Sequence, residues 1–212
     1  MPPAPLAVPS RVCATLVGLL SLAALVLQYV LILQLTRDNV GVVLGTVRFL
    51  TYFTILSNIA VMLVACAAAA GQPGFFAQAR VRGAVALYIG VTGSIYFFIL
   101  RHLWQPQGAQ WWADTGLHYA VPLAYWAWWL AFAPKDLRLQ DLPKALLWPL
   151  LYLVYALIRG VKTGFWPYPF LNADTLGWPH LALNCAALVL AFSLVFVLIW
   201  AVARWRYSAR PS

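Results

Sequence analysis

The chain has 212 residues, of which 64% are apolar, 15% aromatic and only 9% charged, with a formal net charge of +9 and a mean hydropathy of +0.81. A soluble domain of this size carries about a quarter charged residues, so the composition excludes one and describes a polytopic membrane protein. The basic residues lie at the ends of apolar runs, where they meet phospholipid headgroups, so the charge does not point to nucleic acid as a partner.

In chain order, residues 1–10 read as a short Pro-rich tail. The apolar run over 13–35 is long enough to span a bilayer core of about 30 Å at about 1.5 Å per residue, and too long for a signal peptide. A polar connection over 36–46 leads to a second span over 49–70, closed by the turn signal Gly71-Gln72-Pro73-Gly74. The third span is expected over 81–103, with Gly90 and Gly93 at helix-packing spacing. A Gln- and Trp-rich loop precedes a short, Trp-rich fourth span over 117–133. The most charged loop, Lys135–Asp141, separates it from a fifth span over 143–159. An aromatic, Pro-rich connector then leads to the sixth over 180–203. The expectation is a single all-α domain over 1–212 with six transmembrane helices.

Nine of the fourteen Lys and Arg residues fall at the N-terminus, in the second and fourth connections and at the C-terminus, against five in the other connections. That bias predicts both termini on the cytoplasmic side. In this topology Arg48, Thr51, Arg101, His102, His118 and His180 share the outer level of the membrane. Intramembrane ionisable groups are costly and mark candidate sites. Thr51, Thr54 and Asn58 fall at i, i+3 and i+7, a polar strip on one face of an otherwise apolar helix that must find partners inside the bundle.

A hydroxyl beside an imidazole permits nucleophilic acyl transfer. No local motif demands it: there is no G-x-S-x-G, H-E-x-x-H or Gly-rich phosphate loop. All five acids are aspartates in stretches that read as loops, and Cys13, Cys66 and Cys185 have no metal-ligand spacing, so no metal or cofactor is expected. Blander readings stand beside the chemical one. Threonine in an apolar helix ordinarily bonds a carbonyl one turn back, arginine near a span end ordinarily snorkels, and Ser57 and Asn58 suit interhelical hydrogen bonding.

The segment Arg48-Phe-Leu-Thr51-Tyr resembles the start of the second span in the androgen-induced and androgen-dependent membrane proteins, intramembrane threonine hydrolases of fatty acid esters of hydroxy fatty acids. Gly116-Leu-His118-Tyr, followed by Pro122, is similar to the place where that family keeps its essential histidine. The connector Trp166-Pro-Tyr-Pro-Phe-Leu171, after Tyr152-x-x-Tyr155 and Arg159-Gly160, resembles the bacterial branch, which implies a bacterial inner (plasma) membrane. The resemblance implies Thr51 as nucleophile and His118 as general base, acting on a membrane lipid or fatty acyl ester. It assigns no third triad member. Arg48 and Arg101 are candidates to hold a fatty carboxylate, and Asn58 and Tyr96 to donate toward an oxyanion. The competing reading is a non-enzymatic lipid-binding or small-molecule transport protein whose polar strip lines a cavity.

Overall fold

Long uninterrupted apolar runs leave the backbone no way to satisfy its own polar groups in lipid except by helices. The computed structural model describes residues 7–71, 73–132 and 136–208, with side chains of the last helix to 205, and among the described residues it is all-α, with no strand. The helices are α1 (Val8–Thr36), α2 (Gly41–Thr51), α3 (Phe53–Ala70), α4 (Ala79–Phe98), α5 (Ala109–Thr115), α6 (Val121–Phe132), α7 (Leu142–Thr163) and α8 (Ala173–Ser208). A π turn, Gly116–Ala120, joins α5 to α6. Five helical stretches among the described residues are long and apolar enough to cross a membrane: Val8–Thr36, Phe53–Ala70, Ala79–His102, Leu139–Thr163 and Ala173–Trp205.

Local chemistry accounts for four of the ends. Pro lies at the first positions of α1 and α7, where its missing N–H costs nothing. Gly71 and Gly164 close α3 and α7 in the left-handed conformation, with φ of 67° and 66°. At Gly177, φ 73° and ψ 157° kink α8 near its start.

The structure departs from the sequence expectation in several places. Helix α5 lies inside the expected Gln- and Trp-rich loop, and α8 starts at Ala173 rather than at His180. Helix α1 begins at Val8, inside the expected tail. The expected loop over 36–46 is mostly helix, because α2 starts at Gly41. The expected second span is broken at Tyr52, whose φ of −86° and ψ of 130° are extended. The expected fourth span begins in a π turn, leaving the α6 segment of 12 residues about 18 Å long at about 1.5 Å per residue. Residue 133 at its far end, and Lys135 and Arg210 in the charge count, lie outside the described residues.

Helix α4 is the centre of the bundle, packing on α3, α6, α7 and α8. Every residue from Arg82 to Ile89 is buried, as expected of a helix apolar on all sides. Gly90 and Gly93 let α6 approach it. A Cβ on Gly90 would meet the Trp126 indole, and one on Gly93 would lie 3.2 Å from the His118 carbonyl and from Pro122. A Cβ on Gly116 would stand 2.9 Å from that of Ala24, so glycine there lets α1 close on the π turn.

Candidate functional site

The junction of α2 and α3 carries no Pro or Gly, so the break at Tyr52 has to be imposed from outside. In an unbroken helix the Thr51 carbonyl would accept from Ile55 N–H, and Thr54 N–H would donate to Leu50. Here the Tyr152 hydroxyl donates to the Thr51 carbonyl at 2.9 Å, and Thr54 N–H donates to the Tyr168 hydroxyl at 3.4 Å. Ile55 N–H turns to the Tyr52 carbonyl at 3.0 Å. Two phenols from elsewhere in the chain thus replace two helix bonds.

This break separates Thr51 from Thr54. The Thr51 hydroxyl donates to the Val47 carbonyl at 2.7 Å and lies 3.2 Å from the Tyr155 hydroxyl. Thr51 is fully buried, so its arrangement is the ordinary back-bond of a helical threonine. Thr54 and Asn58 remain together on α3, and the Asn58 side-chain amide donates to the Thr54 carbonyl at 2.8 Å and to the Leu117 carbonyl at 3.2 Å. One side chain therefore ties the turn bearing Thr54 to the π turn bearing His118.

The π turn places His118 over Asp114, one turn earlier in α5. His118 Nδ1 lies 3.0 Å from the Asp114 carbonyl oxygen and 3.2 Å from its Oδ1. Both neighbours are acceptors, which assigns a proton to Nδ1, so that in the neutral ring the lone pair lies on Nε2. The carboxylate Oδ1 has no well-aligned donor, so the closer carbonyl is the better partner. The Tyr96 hydroxyl donates a short hydrogen bond to the other carboxylate oxygen of Asp114. Its ring stacks on the imidazole, with centroids 3.8 Å apart and planes 13° from parallel. Asp114 is buried, and its two neighbours fix both the carboxylate and the ring it faces.

His118, Asp114, Tyr96, Tyr52 and Thr54 all line one cavity of about 420 Å³, a size suited to a small organic ligand. Its apolar wall comes from Ile32 and Leu35 of α1, Phe49 of α2 and Ile55 of α3, and Pro167, Tyr168 and Pro169 of the connector cover one side. Thr51 is not among the lining residues. A smaller apolar cavity of about 70 Å³ lies between α4, α7 and α8, and Thr54, Leu100 and Tyr168 border both. Burial raises the Tyr168 phenol above its ordinary value, against the opposing hydrogen bonds with Thr54, so the group stays a donor.

The other expected site residues disperse. Asn58 has its amide hydrogens on two backbone carbonyls, and Tyr96 donates to Asp114, so neither is aimed at an oxyanion. Arg101 is exposed, stacked 3.9 Å from the Phe97 ring centroid, with Nε 3.2 Å from His102 Nε2. His102 and His180 are exposed, leaving His118 as the histidine in the cavity wall. Arg48 lies away from the lining, 5.7 Å from the Phe165 ring centroid. The residue that sequence reasoning passed over is Asp114, expected in a loop but buried in α5. Its signal was the spacing Asp114-x-x-x-His118, which puts a carboxylate and an imidazole on one helical face.

No protein-family model matches the chain, and neither does any curated protein or solved structure.

Proposed function

We propose that the chain is an intramembrane hydrolase of fatty acyl esters, with His118 as general base and the nucleophilic hydroxyl supplied by Thr54 rather than Thr51. The observation that carries this reading is the shared cavity: an imidazole set against Asp114 and a threonine, His118 and Thr54, both line one chamber. In this reading His118 Nε2 takes the Thr54 proton as the hydroxyl oxygen attacks the ester carbonyl. The proton then passes to the departing alkoxide, leaving an acyl-threonine. Water deprotonated at Nε2 releases the fatty acid, and the proton returns to Thr54. Tyr168, whose hydroxyl accepts from Thr54 N–H and keeps its own proton, is the oxyanion donor in this reading. The smaller apolar cavity beyond Thr54 accepts the end of the acyl chain.

The proposal takes the helical stretch over 109–132 as a sixth membrane crossing, with both termini cytoplasmic by the Lys and Arg bias, which puts the chamber in the outer half of the bilayer. An inner (plasma) membrane of a bacterium remains the expected location.

The test is labelling of the purified protein with an alkyl fluorophosphonate. Wild type and Thr51→Ala label, while Thr54→Val and His118→Ala do not. Undiminished labelling of Thr54→Val removes Thr54 as nucleophile. Fatty ester bound but neither labelling nor hydrolysis in the wild type leaves a lipid-binding protein.

A further inference from the structure

Two arginines from different helices lie over one aromatic ring, and neither is paired with an acid among the described residues. Arg48, in the last turn of α2, and Arg159, in α7, both lie over the Phe165 ring, with Cζ atoms 5.7 Å and 5.1 Å from its centroid. Tyr52 and the same ring meet edge to face, with centroids 6.4 Å apart, and burial raises the Tyr52 phenol while the charges of both guanidiniums oppose that rise. Among the described residues neither arginine forms an ion pair. Asp174, on the next helix, instead accepts the Trp166 indole N–H at 2.7 Å. Arg159 Nε is shielded from solvent and has no hydrogen-bond acceptor. Two like charges that share one ring, one with a buried donor unmet, are stabilised by an anion drawn to both. Tyr52 lines the large cavity, so the arginine pair adjoins the chamber rather than standing apart on the surface.

We infer that Arg48 and Arg159 bind the anionic group, a carboxylate or a phosphate, of an amphiphile whose acyl part occupies the neighbouring cavity. This rests on the hydrolase reading only in taking that cavity as the place where the acyl part lies. Guanidinium suits the role because its planar fork meets two oxygens of either anion, and stacking on Phe165 keeps the fork oriented.

The experiment measures binding of radiolabelled dodecanoate, dodecyl phosphate and dodecanol to the full chain in non-ionic maltoside micelles. The wild type is expected to hold both anions at least about tenfold more tightly than the alcohol. Arg48→Gln/Arg159→Gln is expected to abolish that preference while leaving dodecanol binding unchanged, which also certifies its fold. Arg37→Gln/Arg80→Gln, which removes the same charge elsewhere, is expected to keep it. In nanodiscs, anion binding that weakens when phosphatidylglycerol replaces phosphatidylcholine assigns the site to a bilayer headgroup. Binding that is indifferent to the lipid assigns it to the substrate's own anion, and both outcomes support an anion site. Equal binding of the three probes to wild type, or an anion preference that survives in Arg48→Gln/Arg159→Gln, overturns it. Because nothing is turned over, absent Thr54 labelling leaves this result standing, and an absent anion preference leaves the Thr54 chemistry standing.

Discussion

The Asp114 carboxylate stands 3.2 Å from Nδ1 of His118, one helical turn away, with the Asp114 backbone carbonyl slightly closer at 3.0 Å. A single residue thus presents two acceptors to one ring nitrogen. The imidazole is carried by the π turn. Five residues per hydrogen-bonded loop, seen in Val121 N–H bonding the Gly116 carbonyl, rotate His118 relative to an α-helical continuation. Such turns inside helices occur often at functional sites.

Asp114→Asn tests how much the carboxylate adds to the carbonyl. The carbonyl still holds the Nδ1 proton, so the imidazole keeps its tautomer and loses only the charge that stabilises imidazolium. Turnover of a fatty acyl ester is expected to fall by about 10- to 100-fold, the range found when the carboxylate partner of a metal-bound histidine is lost. Steady-state hydrolysis by the purified protein checks it, with the loss in kcat rather than KM. Unchanged kcat would show the carboxylate to be purely structural.

Tyr168→Phe removes one hydroxyl and keeps the ring that stacks on Phe170 at 5.1 Å. As the expected oxyanion donor its loss lowers kcat by about 10²-fold or more. The variant also leaves Thr54 N–H without its 3.4 Å partner, at a cost of about 1 kcal/mol. Thermal unfolding measured beside kcat separates the two effects.

Asn58→Ala cuts the link between α3 and the π turn. Two hydrogen bonds to the Thr54 and Leu117 carbonyls go, with an expected loss of about 1 kcal/mol in the membrane setting. The activity loss is expected to exceed what that stability change explains, because Thr54 and His118 lose their common tether. Detergent-phase thermal melts and ester hydrolysis measured on the same preparation check it.

Gly160→Ala places a methyl group against the Trp166 ring, which lies closer to an ideal Cβ than any real contact allows. Trp166 is held by its hydrogen bond to Asp174, so the connector as a whole must move. Overpacking of this kind costs about 1–3 kcal/mol. Since Pro167, Tyr168 and Pro169 of that connector line the cavity, ester hydrolysis is expected to fall as well. Protease susceptibility of the connector and the melting temperature check the displacement.

Much of this protein follows from its sequence alone. Apolar runs near bilayer length compel helices, because lipid offers the backbone no partners, and Gly71 marks the end of α3 where its lack of a Cβ permits positive φ. The polar character of Thr54, Ser57 and Asn58 likewise announces that this face turns inward, and all three are buried. The grouping of Thr51 with them failed because helical periodicity assumes an unbroken helix. Nothing near Tyr52 in the chain breaks it; the phenols that do are Tyr152 and Tyr168, separated from their partners by 101 and 114 positions. Asp114 looked like a loop residue because its neighbours are polar and Trp-rich. Only the closure of α1 and α4 around the π turn buries it against His118 and Tyr96. Local chemistry decides where a helix can exist, whereas hydrogen bonds from distant side chains decide where this one stops and that Thr54, not Thr51, lines the cavity of His118.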